Sequence, residues 1–298
     1  MSRPGATAWW LAVPLSLAVL SLLDHGRQVP AHKAEWLEAG DTRVRAVRSG
    51  KGPATLVLLH GFGESLTTWR AIFDPLAGSY QVMAVDLPGF GGSTKPPSPY
   101  TLEAMTGRLT SLLERETEGP VVLVGHSMGG LLAASVALAR PDRVRALVLV
   151  APAGYRVGFW GLADSFPREK AGRIGRYLGL RAFITPIHDP AWLEEPDSAA
   201  AYDLTSDTAY QRVASTVLEE FDFEGLRQRF GQLTQPTLLI WGTLDPVIPP
   251  AVGDSLHALL PCSRLVVIPR TFHRPHAERP DTVLHELRRF LQDPRCGD

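Results

Sequence analysis

Short, continuous apolar runs are the feature of this sequence that most restricts its fold. Such runs recur between residues 55 and 268, and most of their residues are aliphatic. Their length and uniformity are typical of strands buried on both faces of a parallel sheet that helices cover. The runs are Thr55–Leu59, Val82–Val85, Val121–Val124, Ala146–Val150, Thr237–Trp241 and Arg264–Ile268.

Segments with helical periodicity separate several of these runs and predict the covering helices. They are Thr101–Glu116, Met128–Arg140 and Thr282–Leu291. Ahead of the first run, Gly40-Asp41 lies between Glu35–Ala39 and Thr42–Val47, which predicts a β-hairpin. We therefore expect an α/β fold with a mostly parallel central sheet and flanking helices.

The long interval between Val150 and Thr237 has no comparable buried run and is rich in aromatic residues. It predicts an insertion of short amphipathic helices, at about residues 153–232, that forms a lid over a pocket. Phe159, Trp160 and Trp192 are its candidate substrate-binding residues. The alternative is that each aromatic side chain only contributes to a small core of the insertion itself.

The N-terminal segment, residues 1–34, differs from the globular domain expected at 35–298. Residues 6–23 carry no charge and are mostly apolar. A membrane span needs roughly 20 apolar residues and a signal peptide roughly 7 to 15, so this stretch lies between the two. We expect an exported protein, or one associated with a membrane through this segment. The alternative is a cytoplasmic protein whose apolar helix packs on its own domain.

Composition removes several classes of partner. With 298 residues, 45% hydrophobic, and a net charge of −1, the chain can bury a full core and has no basic excess that would attract nucleic acid. Its two cysteines, Cys262 and Cys296, form no C-x-x-C metal motif. They either pair in an oxidising compartment or remain thiols. We expect no metal and no cofactor.

The strongest chemical signal is VVLVGHSMGG at residues 121–130, where a buried strand continues through G-x-S-x-G into a predicted helix. A serine at such a sharp turn has strained backbone geometry, so the residues two positions before and after it must be small. Gly125 and Gly129 meet this requirement. The turn directs the Ser127 hydroxyl out of the sheet edge, and the helix N-terminus favours developing negative charge. Ser127 is the candidate nucleophile.

A second motif, LLHGFG at residues 58–63, follows another predicted strand. Acyl transfer needs two preorganised N–H donors for the oxyanion, and we assign them to the backbone of Phe62 and Met128. His60 precedes the glycine of this loop and is predicted to brace it by hydrogen bonds. Asp86 is predicted to secure the glycine-rich loop after its own strand.

Two histidines compete for the role of base after the last predicted strand. His273 lies in a loop that can reach back over the sheet edge, and we assign the base to it. His276 is closer to the following helix and either lines the pocket or stacks behind its neighbour. His126, inside the serine motif, is predicted to be structural or pocket-lining. His126 and His276 are therefore both candidate substrate-binding residues.

The acid is expected at the end of the preceding strand, where Asp245 stands in a turn after Thr237–Trp241. Its carboxylate would hold the His273 ring in the productive tautomer and stabilise the imidazolium. The alternative is an Asx-Pro turn with no catalytic part.

Together these segments resemble the α/β-hydrolase superfamily, in its serine-nucleophile branch, from about Trp36 to Leu291. The matching motifs are HGFG at 60–63, DLPGFGGS at 86–93, GHSMGG at 125–130, WGTLDPVIP at 241–249 and HRPHAERP at 273–280. The resemblance implies a serine hydrolase with a Ser127, His273 and Asp245 triad. Phe272 departs from the glycine that the family often has at this position. Ser127 speaks against the dehalogenase and epoxide-hydrolase branches, which have aspartate there.

The expected substrate is a carboxylic ester of an apolar small molecule, cleaved through an acyl-enzyme intermediate. The same residues would serve a carbon–carbon bond hydrolase of ring-cleavage diketones, or a cofactor-free haloperoxidase or perhydrolase. From a different class, the chain would be a ligand-binding receptor on a hydrolase scaffold. The complete triad favours the enzyme, and fold alone does not choose the substrate.

Overall fold

The computed structural model describes residues 32–154, 192–193 and 208–294, and its centre is an eight-stranded sheet flanked by helices. The strands are β1 (Glu35–Ala39), β2 (Thr42–Ser49), β3 (Thr55–Leu59), β4 (Gln81–Val85), β5 (Val121–His126), β6 (Val144–Val150), β7 (Thr237–Gly242) and β8 (Ser263–Ile268). The described helices are α1 (Arg70–Ala77), α2 (Leu102–Glu116), α3 (Met128–Ala139), α4 (Thr208–Glu220), α5 (Pro250–Leu259), α6 (Pro275–Glu278) and α7 (Pro280–Gln292). Short 3₁₀ helices span Leu66–Trp69, Pro141–Arg143 and Phe230–Gln232.

The order of the strands defines the place of a crevice at the carboxyl ends of the central parallel strands. It runs β1-β2-β4-β3-β5-β6-β7-β8, with β1 and β2 antiparallel to their neighbours and the rest parallel. From β3 the chain moves outward to β4 and then returns to β5 on the other side of β3. The loops after β3 and β5 therefore diverge at a topological switch point, where α/β proteins place their ligands.

The alternation of side chains along each strand divides the core between the two faces of the sheet. In β3, Val57 and Leu59 belong to the core cluster that α2 and α3 cover. Leu56 and Leu58 belong to the opposite cluster, together with residues of α1 and α7. Both faces are covered, which is why these strands are apolar at nearly every position and not at every second one.

The fold class predicted from the sequence is confirmed, and the six apolar runs all lie within strands of the sheet. The three predicted helices and the hairpin also form, with ends that differ by at most a few residues. The sequence pattern missed α1 and α5. Pro75 lies inside α1, where proline is unfavourable, and α5 is only ten residues long.

Several predictions fall on residues outside the described part. They include the targeting segment at 6–23, most of the predicted lid at 153–232, and the side chains of Phe159 and Trp160. Cys262 is disulfide-bonded. The sequence has one other cysteine, Cys296, and that residue lies outside the described part. No described helix combines enough length and apolar character to cross a membrane.

The described helix of the predicted lid, α4, packs on the loop after β3. The Tyr210 hydroxyl donates a hydrogen bond of 2.8 Å to the Gly63 carbonyl oxygen. Its ring also lies 6.1 Å from that of Phe90, in an edge-to-face arrangement. Tyr210, Val213, Ala214 and Val217 bury one face of α4 in the main core. This helix thus holds the loop in place from outside the sheet.

Candidate active site

Ser127 has the backbone strain that its motif predicts. It lies between β5 and α3 with φ 51° and ψ −118°, a conformation that residues with a side chain rarely adopt. Its flanking residues in the 121–130 segment are all buried, whereas Ser127 itself is partly exposed. Strained geometry at one exposed residue is found where function requires it, so the hydroxyl is presented to solvent at the crevice.

The glycines on either side of Ser127 bring the two loops together. A Cβ on Gly125 would lie under 3.0 Å from the Gly129 carbonyl, within the turn itself. A Cβ on Gly129 would lie under 3.0 Å from the carbonyl oxygens of Leu59 and His60. These neighbours are backbone atoms that cannot move aside as a flexible side chain can. The elbow therefore touches the end of β3, and only glycine permits that approach.

Phe62 and Met128 have the positions expected of oxyanion donors, one in each loop. Among the described backbone carbonyls, none accepts a hydrogen bond from either N–H group. The Phe62 side chain is buried against Phe90, at 5.6 Å between ring centroids, which fixes the loop. Backbone N–H groups are the kind of donor that an oxyanion requires, and this is the role predicted for these two.

His60 and Asp86 brace the loops, as the sequence predicted. His60 Nδ1 donates to the Gly61 carbonyl at 2.8 Å, and its Nε2 accepts from the Leu87 N–H at 2.9 Å. The Asp86 carboxylate accepts the N–H groups of Leu66 at 2.7 Å and Gly92 at 2.8 Å. Both His60 nitrogens are occupied, which leaves this ring no capacity to act as a base.

His273 and Asp245 come together as the triad requires. Asp245 Oδ2 accepts a hydrogen bond of 2.7 Å from His273 Nδ1, and both side chains are largely buried. Because a carboxylate only accepts, Nδ1 carries the proton and the lone pair is on Nε2. The His273 ring also lies 4.7 Å from the ring of His126, the residue before Ser127. This tautomer can take a proton from a hydroxyl.

Asp245 performs the turn function as well. Its Oδ1 accepts the backbone N–H groups of Val247 at 2.8 Å and Ile248 at 2.9 Å, which closes an Asx turn. The turn and the contact with His273 are therefore made by different oxygens of the same carboxylate. A turn alone would not require Oδ2 to meet an imidazole.

The loop that carries His273 is held from both sides. Glu278 accepts the N–H of Phe272 at 2.7 Å and the N–H of Arg274 at 2.9 Å, so its carboxylate brackets the histidine. Phe272 is not among the residues with positive φ, so its backbone does not need glycine. This explains how the chain accommodates its departure from the family pattern. The close approach is made instead by Gly242, where a Cβ would meet the Phe272 carbonyl.

His126 and His276, both predicted as substrate-binding residues, make their described contacts inside the protein. Both are buried, with 1% and 0% of the residue exposed. His126 uses Nδ1 on Glu64, at 3.0 Å, and Nε2 on the His273 carbonyl, at 2.9 Å. His276 stacks on Trp69, at 4.4 Å, and forms a 3.0 Å hydrogen bond with Thr68. The stacking partner of His276 is therefore a tryptophan of the 3₁₀ helix at Leu66–Trp69.

Trp192 is likewise placed in the core and not at the crevice. It is fully buried and packs at 5.3 Å against Phe73 of α1 and at 4.9 Å against His32. Trp192 and Phe73 lie in the cluster on the α1 and α7 side of the sheet. The contacts of this tryptophan therefore reach beyond the insertion, whose own small core was the alternative to a substrate-binding role.

Sequence reasoning missed three charged residues that surround the triad: Glu64, Arg274 and Glu278. Glu64 is only 9% exposed and accepts a 2.7 Å hydrogen bond from Arg274 Nε. A charged residue that abuts a motif normally reads as solvent-exposed, since charges are seldom buried without a partner. The available signal was their position in the sequence: Glu64 lies two residues after Phe62, and Arg274 directly follows His273.

The buried histidines predict how stability depends on pH. Burial lowers the pKa of His60, and burial together with the nearby His126 lowers the pKa of His276 well below its ordinary value of 6.5. The unfolded chain therefore binds protons that the folded chain does not. The resulting stability is complete above pH 6.5 and is lost as the pH falls below it, by up to about 1.4 kcal/mol per pH unit for each histidine.

Urea unfolding between pH 8 and pH 5 measures this slope. We expect His276→Gln to reduce it, because glutamine can still bond Thr68 but does not titrate. His285→Gln, at an exposed position of α7, is the matched control and should keep the wild-type slope. An unchanged slope in His276→Gln would contradict the account of this residue.

Comparisons with known proteins agree with this geometry. Residues 56–286 match the model of the "Alpha/beta hydrolase family", so the chain belongs to that family. It is 31% identical over 260 residues to the pimeloyl-[acyl-carrier protein] methyl ester esterase of Aeromonas hydrophila subsp. hydrophila, covering 83% of this chain and 99% of the relative. It is 29% identical over 254 residues to the hydrolase YugF of Bacillus subtilis, with 81% and 91% covered.

A solved structure is also similar to this chain. A bacterial membrane phospholipase A, described as a virulence factor, superimposes with a TM-score of 0.69 at 26% identity, and the match covers 97% of this chain and 94% of that one. Family, fold and relatives together make the chain a hydrolase. Within its described residues, no group of three His, Cys, Asp or Glu side chains is arranged to hold a metal ion.

Proposed function

We propose that the chain hydrolyses carboxylic esters with an apolar acyl or alcohol part, through an acyl-enzyme on Ser127. The observation that carries the proposal is the 2.7 Å contact between Asp245 and His273, whose ring lies 4.7 Å from that of His126, the residue before a strained and partly exposed serine. Two relatives support the ester class, since one is a methyl ester esterase and another is a phospholipase.

The mechanism follows from the roles of the groups. Ser127 Oγ attacks the ester carbonyl while His273 Nε2 takes the hydroxyl proton, and the N–H groups of Phe62 and Met128 stabilise the oxyanion. The C–O bond then breaks, and the imidazolium returns the proton to the leaving alcohol. Water, deprotonated by the same histidine, cleaves the acyl-enzyme to give the acid and regenerate Ser127.

An apolar substrate is supported by the residues next to the triad. Leu244, adjacent to Asp245, is 50% exposed. Phe272, adjacent to His273, is also partly exposed. Apolar side chains at the rim of a catalytic crevice gain free energy by covering an apolar substrate group.

A series of p-nitrophenyl esters, from acetate to long-chain acyl groups, tests this function on the full chain. We expect turnover with kcat/KM rising from acetate toward longer acyl chains, because each added methylene that is buried contributes roughly 0.8 kcal/mol. Absence of turnover on every ester, with a folded sample, would reject the proposal. It would direct the search to cleavage of ring-derived diketones or to stable ligand binding.

We also propose that residues 6–23 export the chain or anchor it to a membrane. Their sequence and the disulfide at Cys262 support this, because protein disulfides persist in oxidising compartments and are rare in the cytosol. Thiol alkylation of the unreduced protein from fractionated cells is the test. We expect no alkylated cysteine and recovery outside the cytosolic fraction, whereas cytosolic protein with two reactive thiols would overturn the proposal.

A further inference from the structure

Glu64 is a buried carboxylate at the centre of a hydrogen-bond network behind the crevice. Its side chain is 6% exposed. Oε2 accepts from the Gly61 N–H at 2.9 Å and from His126 Nδ1 at 3.0 Å, and Oε1 accepts from Arg274 Nε at 2.7 Å. A buried carboxylate with three donors, one of them a guanidinium, is well compensated for the loss of water.

Each of these three donors is the chain neighbour of a candidate site residue. Gly61 precedes Phe62, His126 precedes Ser127, and Arg274 follows His273. One side chain thus joins the loop after β3, the elbow after β5 and the histidine loop after β8, which are far apart in sequence. No backbone hydrogen bond among the described residues links the elbow to the histidine loop. Side chains make that connection.

His126 completes the connection and reveals its charge. Its Nε2 faces the His273 carbonyl oxygen at 2.9 Å, and its Nδ1 faces the Glu64 carboxylate at 3.0 Å. Carbonyl oxygens and ionised carboxylates only accept hydrogen bonds, so both ring nitrogens must donate. Only the imidazolium carries both N–H groups. The geometry therefore requires a protonated His126 wherever Glu64 is ionised.

The ionised state of Glu64 is favoured by two donors that do not depend on His126, the Arg274 guanidinium at 2.7 Å and the Gly61 N–H at 2.9 Å. Burial raises the pKa of this carboxyl, but the positive charges of His126 and Arg274 and the hydrogen bond from His126 outweigh burial and hold the pKa well below its ordinary value of 4.5. Two rings pack on His126, those of His273 at 4.7 Å and His276 at 4.8 Å. The pKa of His276 is strongly lowered, so that ring stays neutral. Glu64, Arg274 and His126 then carry one negative and two positive charges.

We propose that Glu64 and a doubly protonated His126 form a clamp that sets the position of His273 and Phe62 relative to Ser127. The clamp touches no substrate, so both are positioning residues, and their kinetic effect rests on the proposed esterase function. The Nε2–H of His126 holds the carbonyl of His273 itself. A displacement of about 1 Å at a catalytic group is sufficient to cost roughly 100-fold in rate.

Kinetics of Glu64→Gln on a p-nitrophenyl ester test the clamp. The amide cannot accept from all three donors, so we expect kcat to fall roughly 30- to 100-fold while KM changes less than about threefold. Rates are normalised to the fraction of active protein by titrating the acyl-enzyme burst. Glu118→Gln, at an exposed loop position, is the matched control and should keep the wild-type kcat. An unchanged kcat in correctly folded Glu64→Gln would overturn the proposal.

The proton count of His126 is a second readout that needs neither catalysis nor a variant. In ¹⁵N NMR spectra of the wild-type protein, recorded in the buffer of the kinetic assay with the ring assigned through bonds to its backbone, we expect both His126 nitrogens to carry a proton. A single N–H under these conditions would overturn the clamp even if the esterase function holds. Two N–H groups in a protein that cleaves no ester would leave the clamp intact and reject the function.

Discussion

Ser127→Ala is expected to lower kcat for ester hydrolysis by at least about 10⁴-fold, the largest effect of any single change. Alanine removes the hydroxyl that attacks the carbonyl and keeps the Cβ in its strained position. The backbone of Ser127 supplies the structural contacts, because its carbonyl accepts the N–H groups of Gly130, Leu131 and Ala153. We therefore expect the free energy of unfolding to change by less than about 1 kcal/mol.

Steady-state rates on the preferred p-nitrophenyl ester, with urea unfolding in parallel, measure both effects. Ser255→Ala provides the matched control, since it removes a hydroxyl from an exposed position of α5. It should keep the wild-type kcat. Residual activity in Ser127→Ala above about one per cent of wild type would mean that another group is the nucleophile.

Asp245→Asn is expected to lower kcat by about 10⁴-fold with little loss of stability. The asparagine carbonyl can still accept the N–H groups of Val247 and Ile248, so the turn survives. Its amide then faces His273 Nδ1 with a donor, which places the imidazole proton on Nε2. A ring in that tautomer cannot take the proton of the Ser127 hydroxyl.

This substitution separates the two functions of Asp245. If the residue only closed an Asx turn, asparagine would replace it with near wild-type kcat. Asp254→Asn is the matched control, an exposed aspartate on α5. The comparison is made by kcat at pH 8 for all three proteins, and a loss smaller than tenfold in Asp245→Asn would contradict the orienting role.

The sequence predicted the strands well because a doubly covered sheet leaves an unmistakable pattern. Segments such as Thr55–Leu59 are apolar at nearly every position, as is typical of strands covered on both faces. The order of β3 and β4 could not be predicted in the same way. It depends on which edge of the sheet each crossover helix returns to, and local sequence carries no signal for that choice.

The sequence also predicted some site residues better than others, depending on whether their role follows from the strand pattern or from partners distant in sequence. Ser127 and Asp245 follow buried strands, so the strand pattern located them at one edge of the sheet. The role of His126 depended on which partners its nitrogens meet, Glu64 and the His273 carbonyl, and both are distant in sequence. Trp192 likewise looked like a pocket residue until its packing against Phe73 was known. Hydrophobicity shows that a side chain is buried but not against what.

The stability of the site arises from the same contacts that orient it. Glu278 and Glu64 use their carboxylates on backbone and side-chain donors around His273, at distances between 2.7 and 3.0 Å. Hydrogen bonds to charged groups contribute about 1.5–3 kcal/mol each, and the loss of one partner leaves the other charge buried and unpaired. Substitutions of Glu64 or Glu278 are therefore expected to reduce both folding stability and kcat. Ser127→Ala, by contrast, is expected to reduce kcat alone.

The most direct test of the account is to trap the acyl-enzyme and locate it. A p-nitrophenyl ester reaction is quenched in acid within milliseconds to seconds, digested, and analysed by peptide mass spectrometry. The account predicts the mass of the acyl group on Ser127 during turnover, and no such adduct in Ser127→Ala. Turnover without any adduct at Ser127, or an acyl group on a different residue that disappears at the rate of product formation, would contradict it.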